Sequence, residues 1–207
     1  MPDRPTSIRA IASEIRLDDL VANRTMSPDI AVTLRDVARE RRSFITFAVP
    51  RLAGKTTVLR AILAERPAGA PVVTLAEDGQ DVDALIKKSA GGYLVIPEIA
   101  QGAAMPGYIW GEDVRRIFKS AKDGVSLAAT LHADGPEDAF TQICQGCGVP
   151  DAEASKIRYA VHLRSLGRWE EPTRRVVQSV HAVERVENRR PKLRLLHRWD
   201  EQNDRFI

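Results

Sequence analysis

Apolar residues along this chain recur with two periods, and stretches of each kind alternate. Ser27-Pro28 reads as an N-cap followed by proline at the first helical position, and Ile30, Leu34, Val37 and Ala38 then fall on one helical face. Phe44 to Ala48 is a short continuous apolar run, the pattern of a buried strand. Helical spacing returns from Thr56 to Ala64, and "PVVTLA" at 71–76 is strand again. Val82, Leu85 and Ile86 make another helical face, "GYLVIPEI" a third strand, Val114, Ile117, Phe118 and Ala121 a further helix, and "VSLAATLH" at 125–132 a fourth strand. Strands alternating with helices predict an α/β fold with a mostly parallel sheet and helices on both faces.

Beyond about residue 155 the helical spacing stops. "YAVHLRSL", "TRRVVQSVHAVERV" and "PKLRLLHRWD" read as β segments broken at Gly167, Pro172 and Asn188, which predicts a C-terminal antiparallel extension. The chain is expected to form one domain over 1–207, with a helical lead-in at 1–42 containing "EIRLDDLV", a nucleotide-binding core at 43–154 and the β extension at 155–207.

Composition changes this picture little. With 207 residues and 43% apolar content, the chain is large enough for a substantial core. No apolar run reaches the length of a membrane span, and the N-terminal "MPDRPTSIR" lacks the apolar middle of a signal peptide, so a cytoplasmic location without a transmembrane segment is expected. Net charge is only +3, but "RERR" at 39–42, "RR" at 174 and "RRPKLR" at 189–194 concentrate basic residues. Such clusters are read first as solvated faces, with nucleic acid, acidic lipid or an acidic partner as alternatives. Cys144 and Cys147 form a C-x-x-C with no second pair to complete a zinc site, and they are expected to stay reduced near a helix end.

The candidate chemistry begins with "FITFAVPRLAGKTTVLRAIL" at 44–63, where a strand leads through Gly54-Lys55-Thr56-Thr57 into a helix. A phosphate-binding loop works because successive backbone N–H groups and a helix N-terminus surround anionic oxygens, while a lysine adds a mobile cation and a hydroxyl ligates magnesium. Pro50, Arg51, Leu52, Ala53, Gly54, Lys55, Thr56 and Thr57 are therefore the candidate nucleotide-binding residues, with Thr56 the magnesium ligand. Val49 and Leu52 stand where glycine often supplies positive φ or a tight turn. Either the loop follows another path or Val49 keeps a β conformation.

Glu98 follows the apolar run of the third strand, and His132 holds the matching place after the fourth. Carboxyl ends of parallel strands border the ligand crevice, where a carboxylate can orient or deprotonate water and a histidine can sense a γ phosphate. Glu77, with Asp78, ends the second strand and completes the candidate catalytic set. "AAMPGYIWG" at 103–111 groups Tyr108, Ile109 and Trp110 between glycines, suiting either a cover or docking loop or a buried plug.

With these residues in order, the chain resembles the type II/IV secretion and pilus ATPase family. The matching stretches are "LDDLVANRTMSPDIAVTLRDVARERR", "VPRLAGKTTVL" against the family's G-P-T-G-S-G-K-T-T, "TLAED" for its acidic box, "LVIPEI" for Walker B, "ATLHADGPEDA" for its histidine box, and "AVHLRSLGRWEEPTRRVVQSVHAVERV". The resemblance implies a RecA-like P-loop NTPase core, the cofactors ATP and Mg²⁺, and a homo-oligomeric ring with the hexamer as the family form. It further implies partners among secretion or pilus assembly proteins, through which the inner membrane would be reached. The family's separate N-terminal domain is expected to be missing, and its Gly-Glu-x-Arg-Gly becomes Pro97, Glu98, Ile99, Ala100 and Gln101, without the arginine. Arg115 or Arg116 is favoured over "RERR" at 39–42 as the replacement offered to a neighbour's nucleotide, with a solvated helix face as the alternative reading.

The functional expectation is an ATPase that turns over slowly. A subunit that binds nucleotide without catalysis is the alternative, and a nucleic-acid-dependent ATPase is less favoured, because neither a helix-turn-helix pattern nor aromatic interleaving accompanies the basic stretches.

Overall fold

The computed structural model describes residues 15–49, 51–75, 81–102, 108–121, 124–168 and 170–207. Two short helices, α1 (Leu17–Ala22) and α2 (Pro28–Arg39), lead into strand β1 (Ser43–Phe47). The Ser27 hydroxyl accepts from the Ile30 N–H at 3.3 Å, so the cap and Pro28 start α2 as the sequence predicts. Its face Ile30, Leu34, Val37 and Ala38 is buried. After β1 come α3 (Lys55–Leu63), β2 (Val72–Thr74), α4 (Val82–Lys88), β3 (Tyr93–Ile99), the two-residue β4 (Tyr108–Ile109), α5 (Glu112–Ser120) and β5 (Ser126–Leu131). Helix α6 (Pro136–Thr141) runs into a π-helical stretch at Gln142–Gly146, and α7 (Asp151–Ala154) precedes four final strands, β6 (Ile157–Gly167), β7 (Pro172–Glu187), β8 (Arg190–Asp200) and β9 (Arg205–Phe206).

The strands hydrogen-bond in the order β2, β3, β5, β1, β6, β7, β8, β9, with β4 added beside the end of β3. From β2 to β6 the pairing is parallel, and from β6 to β9 it is antiparallel. Strand β6 therefore belongs to both parts: Phe44 pairs with Tyr159 on one side, and Tyr159 pairs with Ala182 on the other. Periodicity alone grouped β6 with the antiparallel extension, because a strand's own sequence does not state the direction of its neighbour. Strand β2, read from "PVVTLA", is only three residues long and lies at the sheet edge, with Val72 exposed.

Alternate side chains of the central strands face two separate cores. Phe44, Tyr93, Val95, Ala128 and Val161 pack under α1, α2 and α3. Ile45, Phe47, Leu94, Ile96, Leu127 and Ala129 pack under α5 and α6 on the other face. This period-2 division fixes the register, since a one-residue slip would exchange the two cores. Trp110 joins the second core, and a Cβ on Gly146 would stand 2.5 Å from its ring, so glycine is needed there. Tyr108 and Ile109 extend the sheet as β4, so this part of the 103–111 segment is a structural plug; 103–107 lie outside the described residues.

Candidate functional site

The loop after β1 sits over the carboxyl ends of β1, β3 and β5. Gly54 is the N-cap of α3 with φ +92, a conformation that L side chains rarely adopt. Leu52 also takes positive φ, at 66, while Val49 is not among the residues that do. Of the two paths left open by the sequence, Val49 avoids the left-handed region and Leu52 bears the strained turn. Leu52 stays exposed there, where its side chain meets least obstruction. Arg51 is exposed and Ala53 buried beside it, while Thr56 is exposed and Thr57 half-buried on the first turn of α3. Pro50 and Glu77 lie outside the described residues.

Lys55 is the first residue of α3 and is buried. Its Nζ stands 3.5 Å from Glu98 Oε2, and the Thr46 hydroxyl on β1 donates to its carbonyl oxygen at 3.4 Å. Burial pulls the Lys55 ammonium below the ordinary lysine value, with Glu98 opposing that shift and Arg51 adding to it. The loop thus holds a desolvated cation at the helix N-terminus, where partial positive charge already gathers.

Glu98 owes its position to a bulge. Between the pairs Ile96 with Ala129 and Ile99 with Leu131 the register shifts, so Pro97 and Glu98 together oppose the single residue Thr130. Pro97 has no N–H to give to a ladder, and a bulge inside a sheet is where proline is tolerated. The Thr130 hydroxyl approaches both the Pro97 carbonyl and Glu98 Oε2, the latter at 2.9 Å. His132 Nδ1 lies 2.9 Å from Glu98 Oε1. Opposite a carboxylate acceptor the proton must sit on Nδ1, which leaves Nε2 as a bare acceptor in the neutral ring. Nε2 is buried without a hydrogen-bond partner among the described residues. Burial holds the His132 imidazole below its ordinary value, helped by Lys55 and Arg51 and opposed by Glu98. Gln142 Nε2, at the start of the π-helical stretch, donates to the His132 carbonyl at 2.6 Å and to Asp138 Oδ2 at 3.2 Å, anchoring the segment after β5.

The structure therefore brings together Lys55, Glu98 and His132 on a floor supplied by Thr46 and Thr130. Sequence reasoning missed Thr130, although it belongs to a stretch singled out there, and Gln142, which lies just beyond "ATLHADGPEDA". It also read "RR" at 174 as a solvated face. Arg175 Nε instead donates to the Leu52 carbonyl at 2.7 Å, and its Cδ would lie 3.1 Å from a Cβ placed on Gly54, so the β extension reaches across the loop. Arg115 is exposed on α5, and its Nη1 donates to the Cys147 carbonyl at 2.8 Å, at the end of the π-helical stretch. Arg116 pairs with Asp83 at 2.6 Å on the exposed surface. Cys144 and Cys147 are unpaired and buried, and burial pushes the Cys144 thiol up to about 12 and raises that of Cys147, so both are poor nucleophiles.

No protein-family model matches the chain, and no curated protein matches it in sequence. Solved structures match its fold. The VirB11 ATPase from the Brucella suis type IV secretion system, in complex with sulphate, superposes with a TM-score of 0.53 at 16% identity, over 84% of this chain and 58% of that one. The Legionella pneumophila ATPase DotB gives 0.50 at 14% identity, over 73% of this chain and 47% of its own. The chain thus spans between 47% and 58% of the length of these two proteins. Its fold is similar to that of these two ATPases: a mainly parallel α/β core extended by antiparallel strands.

Proposed function

We propose that this chain binds magnesium ATP at the loop 49–57 and hydrolyses it slowly, as the single P-loop ATPase domain of a ring-forming secretion or pilus machine. The observation that carries the reading is the meeting of Lys55, Glu98 and His132: Nζ to Oε2 at 3.5 Å and Nδ1 to Oε1 at 2.9 Å, at the N-terminus of α3. The residues fit the ligand. Gly54 takes the positive φ that opens α3, the buried Lys55 ammonium matches the β and γ phosphates, and the orphaned His132 Nε2 offers a polar contact at the crevice. Among the described residues no group of three or more His, Cys, Asp or Glu side chains could hold a metal alone. Thr56 would hold magnesium together with phosphate oxygens, and the ion would neutralise charge on the phosphates.

In this reading Lys55 leaves Glu98 for the phosphates, and the released carboxylate orients the attacking water. His132 fixes the direction of Glu98 through Nδ1, and Thr130 holds its other oxygen. Pro50 completes the loop, and Glu77 adds a second acid. The proposed setting is cytoplasmic, with a homo-oligomeric ring, in the hexameric form of the family, meeting assembly proteins at the inner membrane. No helix among the described residues is long and apolar enough to cross a membrane.

A second reading, a subunit that binds ATP without turning it over, is favoured by the use of Arg115 inside its own chain and by the lack of an arginine after Glu98. Steady-state phosphate release by the assembled protein, compared with Lys55→Ala, tests the proposal. Turnover lost in the variant supports it, and equal turnover overturns it.

A further inference from the structure

Strand β8 is the last long strand of the sheet, and most of it has a neighbour on one side only. Its inner edge pairs with β7 from Arg190 to Arg198. On its outer edge β9 pairs with Trp199 and Asp200, and the Ile207 backbone closes on Arg198. From Arg190 to His197 no strand among the described residues covers that outer edge. An open strand edge offers a row of N–H and C=O groups on which another chain can pair.

The side chains along this edge differ on the two faces of the sheet. Leu193 pairs with Val183 and Leu195 with His181, on the side of the core under α5 and α6, and Leu195 is 49% exposed. Arg190, Lys192 and Arg194 stand on the other face, opposite Glu187, Arg185 and Ala182, and all three are exposed. Their charge is poorly neutralised. Glu187 is held by Arg185 at 2.6 Å, Lys192 faces the like-charged Arg185, and the Glu184 carboxylate stands 3.9 Å from Arg194 Nε, beyond hydrogen-bond reach. The turn into β8 adds a further cation, since Asn188 and Arg189 take φ of 51 and 61. Glycine is the usual second residue of such a turn, and an exposed arginine holds the place here.

We propose that the outer edge of β8 docks an extended segment of a partner protein, added to the sheet as a further strand, in which acidic residues alternate with apolar ones. Successive side chains of a strand point to opposite faces. Residues of the added strand that lie beside Arg190, Lys192 and Arg194 therefore meet positive charge, and those between them meet Leu193 and Leu195. The open backbone supplies the pairing, and the alternation supplies the choice of partner. A second copy of the chain does not suit the edge, because β8 against β8 would set the same cations against one another, where like charges destabilise. A nucleic acid would use the charge but neither the backbone edge nor Leu195. Strands β6 and β7 stand between this edge and β1, so the docking is separate from nucleotide binding.

The test uses the full chain and fluorescein-labelled peptides at low salt, read by fluorescence anisotropy. A peptide alternating Glu and Val is expected to bind at least about tenfold more tightly than a peptide of the same composition with Glu and Val in separate blocks. Two N-methylated forms of the alternating peptide, one for each set of alternate nitrogens, keep its charge and side chains and remove ladder donors from one edge. At least one of them is expected to lose binding. The double variant Lys192→Glu, Arg194→Glu, at exposed positions, is expected to bind the Glu–Val peptide at least about tenfold more weakly and to gain affinity for a Lys–Val peptide. Equal affinity for the alternating and blocked peptides, or full binding of both N-methylated forms, reduces the edge to a charged surface and overturns strand addition. So does a Glu–Val peptide that fails to bind the parent, or that binds parent and double variant alike. Single-stranded DNA bound at this edge in place of the peptide gives the charge to phosphates, and disulfide trapping of two copies through Lys192→Cys gives the edge to a second copy. Either result overturns the proposal.

Discussion

Lys55 Nζ and Glu98 Oε2 stand 3.5 Å apart, with 9% and 7% of their side chains exposed, so the cation proposed to meet phosphates is paired with the acid proposed to orient water. A buried pair of this kind gives little net stability but is costly to break one-sidedly. In the proposed binding mode, phosphates would replace a carboxylate that already holds the lysine. Lys55→Ala removes the only lysine on the loop and is expected to weaken ATP binding by about a hundredfold or more, given the roughly 1.5–3 kcal/mol of each hydrogen bond to a charged group. Calorimetry with a non-hydrolysable analogue measures this, after circular dichroism has verified the fold. Equal affinity would mean that phosphates do not bind at this loop.

Glu98→Gln separates binding from chemistry. The amide keeps the shape, so Thr130 and His132 still have a partner, but it cannot take a proton from water and no longer neutralises Lys55. ATP affinity should stay equal or rise, while turnover falls by roughly 10² to 10⁴, the range a positioned acid–base group contributes. A variant that hydrolyses ATP like its parent contradicts the role given to Glu98. A parent without turnover supports the non-catalytic reading.

Arg175→Ala tests the bridge to the loop. The Leu52 carbonyl loses the 2.7 Å bond from Arg175 Nε, and Leu52 at φ 66 loses the contact that holds its turn. Exposed Arg51 should then be cut by trypsin several-fold faster in the variant than in the parent. Saturating ATP should slow cutting in both. Equal cutting rates without ATP would show that the bond does not order the loop.

Arg115→Ala should act on stability and not on chemistry. Its Nη1 bond to the Cys147 carbonyl closes the π-helical stretch, and the loss is expected to cost about 1–2 kcal/mol, or roughly 2–8 °C in Tm for a chain of this length. Turnover per folded molecule at 20 °C should match the parent. A hundredfold loss of turnover at unchanged Tm would restore Arg115 as the arginine offered to a neighbour.

The sequence made the elements legible where a local device and a burial pattern agree. Ser27-Pro28 started a helix, the run before Val49 made a strand, and two apolar strands ended at Glu98 and His132, which do meet. What lay beyond reach depended on contacts distant in sequence. Arg175 reaches Leu52 across 123 positions and Thr130 reaches Glu98 across 32, and neither spacing leaves a periodic trace. Arg115 reaches the Cys147 carbonyl across 32 positions and leaves no such trace either. The bulge at Pro97 was signalled only by a proline inside an apolar strand.

Acid sensitivity follows from the histidines. All four, His132, His162, His181 and His197, are held below the ordinary imidazole value by burial. His162 is lowest, at about 4. Its ring stacks on Phe47 with centroids 5.0 Å apart, nearby His181 and Arg164 disfavour a second positive charge, and Asp134 only partly opposes them. In the unfolded chain the group titrates near its ordinary 6.5. Between that value and 4 the unfolded chain binds a proton that the folded chain refuses, so stability falls as pH drops through this window and is unaffected by His162 above it. His162→Phe keeps a ring against Phe47 and removes the titration. The parent's Tm is expected to fall on going from pH 7 to pH 5, and the variant's to fall less, by a few °C at about 2–4 °C per kcal/mol. The other three histidines leave a residual slope. Parallel Tm-against-pH curves for the two proteins would show that His162 takes up its proton as readily in the fold as outside it.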